Sequence, residues 1–307
     1  MIPLIITCGV LGGLFLLLFI TLLLLYLFVY RSPYPHQLSD QNLRNSSNFK
    51  GYQERIKELI IKLMETPCED IYISSFDKVK LHARFYAQKD SKKVAILCHG
   101  YRGTAYRDFC GGAYEIARMG YNLLLIDQRA HGLSKGHSIT FGVKETKDLL
   151  CWIKYIKEKL GEDIELLLVG VSMGAFTVLN AVDKVSDDVK VVADSPYSSP
   201  KAIIVNSIKS VKLPVWLFYP LLKLSALLFM HVNIGKPSAY QTLSKRKNTI
   251  LIVHGDNDKV VPYQDSQLLA NSFPSVIQYH LFPTAGHGTS YIADTERYRK
   301  IIQDYLR

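Results

Sequence analysis

Gly170-Val171-Ser172-Met173-Gly174 constrains this chain more than any other stretch, because of what flanks it. An apolar run, Glu165 to Val169, comes before it, and a helix-like run, Ala175 to Val185, comes after. Strand, very tight turn, helix is the context in which a G-x-S-x-G pattern carries chemistry. The glycines clear space around a serine whose backbone is forced into a strained conformation. The hydroxyl then stands at the top of a sheet, with a helix N-terminus behind it that favours developing negative charge. Glycine and serine are also ordinary turn residues, so the rest of the chain has to decide whether Ser172 is a nucleophile.

A serine nucleophile needs a base, and the base needs an acid to orient it. On this kind of turn the partners follow in the order acid, then histidine. Asn248 to His254 reads as a buried strand, followed by the loop Gly255-Asp256-Asn257-Asp258-Lys259-Val260-Val261-Pro262. Val276 to Phe282 reads as the next strand, followed by Pro283-Thr284-Ala285-Gly286-His287-Gly288. An Asp-rich loop alone usually makes a turn, and a lone histidine is usually structural. Two such loops, in the required order after Ser172, point to a triad with His287 as base and an aspartate as its partner.

Acyl transfer at a serine also needs donors for an oxyanion, one from the residue after the nucleophile and one from the loop after the third strand. Met173 supplies the first. Val94 to Cys98 is a short apolar strand that runs into His99-Gly100-Tyr101-Arg102-Gly103, and the backbone N–H of Tyr101 is the candidate for the second.

Strands and helices alternate along most of the chain. Ile71 to Ser75 and Val79 to Tyr86 form an opening hairpin about Phe76-Asp77-Lys78. Val94–Cys98, a helix near 109–119, Tyr121–Ile126, a helix over 143–160, Glu165–Val169, the helix after Ser172 and Val189–Ala193 follow. The alternation implies an α/β fold: a mostly parallel sheet with helices on both faces. The catalytic loops then lie beyond the carboxyl ends of the strands, as active sites in such sheets do.

Together these motifs resemble the α/β-hydrolases, and among them the bacterial membrane-anchored serine hydrolases of the esterase and dipeptidyl-aminopeptidase-like group. The resemblance runs from about Ile71 to the C-terminus. It rests on His99 to Gly103, on Asp127-Gln128-Arg129-Ala130-His131-Gly132-Leu133-Ser134, on the Ser172 turn, on His254-Gly255-Asp256-Asn257-Asp258 with Val261-Pro262, and on Gly286-His287. It implies that Asp258 is the triad acid, being the acid after His-Gly and two further residues. Asp256, placed within the turn, and Asp194, at the end of the sixth strand, remain the alternatives. The Asp127 block is implied to brace the active-site floor, outside the triad. The segment 195–246 is implied to be a helical cap, whose underside would be lined by Trp216, Phe218, Tyr219 or Phe229. No cofactor is implied. His131 and His137 lie near acidic residues, but no metal-ligand spacing accompanies them.

The N-terminus carries a different signal. Met1 to Tyr30 holds no charged side chain, and Leu11 to Val29 is almost solidly Leu, Phe and Ile. About 20 apolar residues span a bilayer. A cleaved signal peptide would want a basic start and small residues before its cleavage site, where this chain has Tyr26, Phe28 and Tyr30. The expected organisation is a transmembrane anchor over 1–30, a polar linker over 31–50 and a hydrolase domain over 51–307. Arg31, Arg44 and Lys50 follow the helix, which puts the domain in the cytoplasm by the positive-inside tendency.

Net charge is +10, yet the basic residues are scattered, without the clustering that a nucleic-acid surface needs. Anionic lipid headgroups fit a tethered protein better. The odd count of 5 cysteines reads as reduced thiols rather than a disulfide framework. The expected partners are therefore a membrane and a small-molecule or lipid-like acyl substrate. Ester, amide and thioester cleavage stay open at this point, as does a non-catalytic binding protein on the same scaffold.

Overall fold

The computed structural model describes residues 2–32 and 51–307, so nearly all of the expected linker lies outside the described residues. Eight strands form one sheet: β1 (Glu69–Ser74), β2 (Lys80–Tyr86), β3 (Lys93–Cys98), β4 (Asn122–Asp127), β5 (Glu165–Val171), β6 (Lys190–Asp194), β7 (Ile250–Gly255) and β8 (Ile277–Phe282). Their spatial order is β1-β2-β4-β3-β5-β6-β7-β8. The β1–β2 and β2–β4 pairs are antiparallel, and every pair from β4 to β8 is parallel. The central strands read as unbroken apolar runs because both faces of the sheet are covered. The chain turns to one side of β3 to make β4 and to the other to make β5. The crevice for a ligand therefore opens above the carboxyl ends of β3 and β5.

Of the helices, α1 (Ile2–Leu25) runs into a π-helical turn, Tyr26–Tyr30, and α2 is Gln53–Glu65. The single helix expected near 109–119 is two: α3 (Ala105–Phe109) and α4 (Gly112–Arg118). The break falls at Gly111, where an added Cβ would sit 1.9 Å from the Tyr291 ring, so the chain bends around that ring. α5 (Val143–Leu160) starts with the Glu145 carboxylate accepting from the Gly142 N–H at 3.0 Å, which satisfies an otherwise orphaned donor. α6 (Met173–Leu179) is shorter than the expected run to Val185. Past Asn180 the chain makes bonds of the tighter i→i+3 kind, Ala181 to Val178 and Lys184 to Ala181.

Between β6 and β7 the chain forms α7 (Pro200–Ser210), α8 (Val215–Met230) and α9 (Ala239–Leu243), and two more helices pack near the end, α10 (Tyr263–Ser272) and α11 (Ser290–Ala293), before the closing α12 (Thr295–Leu306). Pro220 lies inside α8 without ending it.

Val10–Tyr30 is long and apolar enough to cross a membrane. Its last turns are nonetheless built into the body of the α/β domain. Ser225 Oγ of α8 donates to the Leu22 carbonyl at 2.9 Å. Phe229 packs on Phe19 and Tyr26, with ring centroids 5.9 and 5.2 Å away. Tyr30 has no exposed surface; its hydroxyl donates to the Leu222 carbonyl at 3.0 Å, and its ring meets Phe141 edge-on. Arg31 then pairs with Ser138 as an isolated antiparallel bridge. The division drawn at residue 30 from composition thus falls in the middle of a packed contact.

Candidate active site

Ser172 ends β5 and opens α6 with φ 55° and ψ −113°, a left-handed backbone that L-residues adopt only under constraint. The constraint is close packing. A Cβ on Gly174 would lie 1.7 Å from the Cys98 carbonyl oxygen, and one on Gly170 would lie 2.2 Å from the Gly174 oxygen. The motif's glycines are there because backbone meets backbone on both sides of the serine. The Ser172 N–H donates to the Asp194 carbonyl at 2.9 Å, which fixes the turn to β6.

His287 Nδ1 lies 2.7 Å from Asp258 Oδ2. With Nδ1–H donating to the carboxylate, Nε2 keeps its lone pair, the form a general base needs. The other carboxylate oxygen of Asp258 accepts from the N–H groups of Val260 and Val261 at 2.8 and 2.9 Å. Burial pushes the Asp258 carboxyl up, but hydrogen bonds from His254 and His287 outweigh it and hold the group well below the usual range. Asp258 is therefore an anion against which an imidazolium is stabilised.

The two alternative acids do other work. Asp256 Oδ1 accepts from the Thr284 N–H at 2.7 Å, tying the loop after β7 to the loop after β8. The Asp194 carboxylate is buried against the hydroxyls of Ser195 (2.9 Å) and Ser290 (3.3 Å), and burial raises its pKa to about 6.

Two loops approach the Ser172 turn. A Cβ placed on Gly100 would lie 3.3 Å from Ser172 Cβ, and one on Gly288 would lie 3.1 Å from Val171 Cγ1. Gly288 also donates from its N–H to Ser195 Oγ at 3.2 Å. Of the expected oxyanion donors, Met173 directly follows the serine as the first residue of α6, and Tyr101 shares a cavity lining with Ser172.

Ser172 lies in the lining of a cavity of about 430 Å³. The lining is mainly aliphatic and aromatic, drawn from α7 and the segment after it (Ile203, Ile204, Ile208, Val211, Leu213), from Leu222 of α8, and from Phe141 and Tyr197. Arg102 is its one charged member among the described residues. The underside expected from α8 is different. Trp216 is 78% exposed and points away, Phe229 packs on α1, and Phe218 and Tyr219 pack on the core outside the cavity lining. α8 is apolar nearly all round, so its sequence does not mark which face turns inward.

The model of the Hydrolase_4 family, described as serine aminopeptidase, S33, matches residues 89–245, just over half of the chain. The chain belongs to this family. It is a hydrolase with the α/β-hydrolase fold. The match spans the His99–Gly103 loop, the Asp127 block, the Ser172 turn and nearly all of residues 195–246; Asp258 and His287 lie beyond it. An uncharacterized protein YqkD of Bacillus subtilis (strain 168) is 24% identical over 223 residues, 72% of this chain and 73% of that protein. The lysophosphatidylserine lipase ABHD12 of Danio rerio is 24% identical over 232 residues, 71% of this chain; the match takes in 59% of that longer protein. Among solved structures, the Pyrococcus furiosus esterase Pf2001 superposes with a TM-score of 0.63 at 26% identity, over 80% of this chain and 92% of that one. The ferulic-acid complex of Est1E from Butyrivibrio proteoclasticus has a TM-score of 0.60 at 20% identity, over 77% and 99%, a likeness of fold.

In this Hydrolase_4 protein a further layer of residues holds the candidate site in place; a bracing role was expected of the Asp127 block, whereas His99, Asp108, His254 and Ser266 were not assigned one. His254 Nε2 faces two acceptors, Asp258 Oδ2 at 3.1 Å and the Val261 carbonyl at 3.0 Å, so Nε2 carries the proton. Nδ1 then accepts from Ser266 Oγ at 2.7 Å. The His99–Gly103 loop is braced in the same manner. Asp108 Oδ2 accepts from the Gly100 N–H at 2.7 Å, and His131 Nε2 accepts from the Arg102 N–H at 3.0 Å while Nδ1–H donates to the Arg129 carbonyl at 2.9 Å. His99 Nε2 accepts from the Gln128 N–H at 3.0 Å. Both nitrogens of His131 are occupied by backbone. The signal was present in the quoted blocks, since His99, His131 and His254 each sit in one, but spacing alone does not reveal which backbone groups they meet.

Proposed function

We propose that the protein is a membrane-anchored serine hydrolase that cleaves carboxylic esters or related acyl compounds through an acyl-enzyme. Ser172 Oγ attacks the acyl carbon while His287 Nε2 takes its proton, and the N–H groups of Tyr101 and Met173 stabilise the oxyanion. His287 hands the proton to the leaving group, whose bond to the acyl carbon breaks. A water, deprotonated by the same imidazole, then releases the acid and restores Ser172. Asp258 keeps the imidazole in the Nδ1–H tautomer, which leaves Nε2 to accept the serine proton. The chain is held by its N-terminal helix, with the catalytic domain on the cytoplasmic side.

The observation that carries this reading is the pairing of His287 with Asp258 at 2.7 Å, on a loop whose next residue, Gly288, approaches Val171 beside the strained Ser172. The cavity supports an acyl rather than an aminopeptidase substrate, despite the family's description. An aminopeptidase has to hold an ammonium group, which Arg102 would repel, whereas an aliphatic lining takes an acyl chain. The full-length protein should react at Ser172 with a fluorophosphonate probe and cleave esters faster than thioesters or aminoacyl amides of the same chain. Ser172→Ala should remove both labelling and turnover without changing the fold. Labelling that persists in Ser172→Ala, or a preference for aminoacyl amides, would overturn the reading.

A further inference from the structure

The cavity has a wall that the hydrolase domain does not supply. Leu25, Phe28 and Val29, in the last turns of the N-terminal helix, line it alongside Ser172. These turns also grip the oxyanion loop. Tyr101 Oη donates to the Val29 carbonyl at 2.7 Å, and Arg102 Nη2 donates to the carbonyls of Phe28 at 2.7 Å and Arg31 at 3.2 Å. Arg31 leaves the helix with φ −75° and ψ 131°. The carbonyls just before it therefore lack helical donors and can accept from side chains.

We infer that the end of the N-terminal helix is part of the substrate site: Leu25, Phe28 and Val29 form a wall against which a long acyl chain lies, and so set chain-length preference. The inference rests on the hydrolase reading above. It gives the helix a second role beside anchoring. A short acyl group contacts little of the lining, whereas each further methylene buried against it is worth roughly fourfold in binding. Losing the helix wall should therefore penalise long chains and spare short ones. It also names the substrate class, a long-chain acyl ester, since the chain would share one apolar surface with a helix suited to a bilayer.

The test uses the full-length protein in detergent micelles, with 4-nitrophenyl butyrate and 4-nitrophenyl dodecanoate as probes and fluorophosphonate labelling of Ser172 as a check on the folded site. Leu25→Trp fills the cavity from the helix side. Phe28→Ala removes part of the wall at a position 79% exposed, where folding does not depend on it. Leu24→Trp, on a neighbouring exposed position outside the lining, is the control. The expected result is a drop of about tenfold or more in the ratio of dodecanoate to butyrate kcat/KM in Leu25→Trp, a smaller drop in that ratio in Phe28→Ala, wild-type turnover of both esters in Leu24→Trp alone, and labelling retained in all three. Unchanged dodecanoate turnover in both Leu25→Trp and Phe28→Ala would overturn the inference, as would equal losses on both esters with labelling intact. Failure of the wild type to label or to cleave either ester would instead remove the hydrolase reading, and this inference with it.

Discussion

The Ser172 N–H donates to the carbonyl oxygen of Asp194, so the acid that ends β6 serves the Ser172 turn through its main chain. Its carboxylate is turned instead toward Ser195 and Ser290, while Asp258 meets His287. Asp258→Asn should accordingly lower kcat by about 10⁴ with little change in melting, because the wrong imidazole tautomer is then held. Asp194→Asn should keep most of its rate. Ester kinetics beside thermal melting of the two variants checks this, and a reversed pattern would move the acid to Asp194.

Asp194 also makes a statement about pH. Its pKa is raised to about 6 in the folded protein, above the usual carboxyl value near 4. The folded state therefore binds this proton more tightly than the unfolded chain. The resulting stability is fully present below the unfolded pKa and is lost as pH rises through about 6. Asp194→Asn carries no charge to bury, so it should melt a few degrees above the wild type at pH 8, roughly 2–4 °C per kcal/mol, and converge with it near pH 4. Melting curves that stay parallel over this range would mean that Asp194 does not titrate there.

Trp216 is 78% exposed, and the other tryptophan, Trp152, is 1% exposed. Near Trp216, Leu217, Leu224, Leu227 and Leu228 of α8 are also exposed, beside a helix that is itself apolar. Trp216→Ala should leave acyl-chain preference unchanged, since the side chain lies outside the cavity lining. In vesicles of brominated phospholipid, wild-type tryptophan emission should be quenched and that of Trp216→Phe should not. Quenching of Trp216 by aqueous acrylamide, with none by brominated chains, would place the cap in water.

Arg31, Arg44 and Lys50 follow the N-terminal helix closely. The catalytic domain should then face the cytoplasm. Protease added to intact cells should spare the domain and should digest it once the membrane is permeabilised. Digestion in intact cells would reverse the orientation.

The sequence by itself determined the features that depend on local geometry. Buried strands of a parallel sheet are bare apolar runs, and the Ser172 turn needs glycine on either side wherever it occurs, so both can be read without coordinates. The same holds for the loops that carry Asp258 and His287, because each follows directly from a strand. Tertiary structure alone decided which side chains meet across long separations. Tyr30 reaches Leu222 across 192 positions, and His254 meets Ser266 while orienting Asp258. It also decided the inward faces of α1 and α8. Both helices are apolar on nearly every side, so their hydrophobic pattern has no direction. Only the packing of one against the other turned Leu25, Phe28 and Val29 toward the cavity and Trp216 away from it.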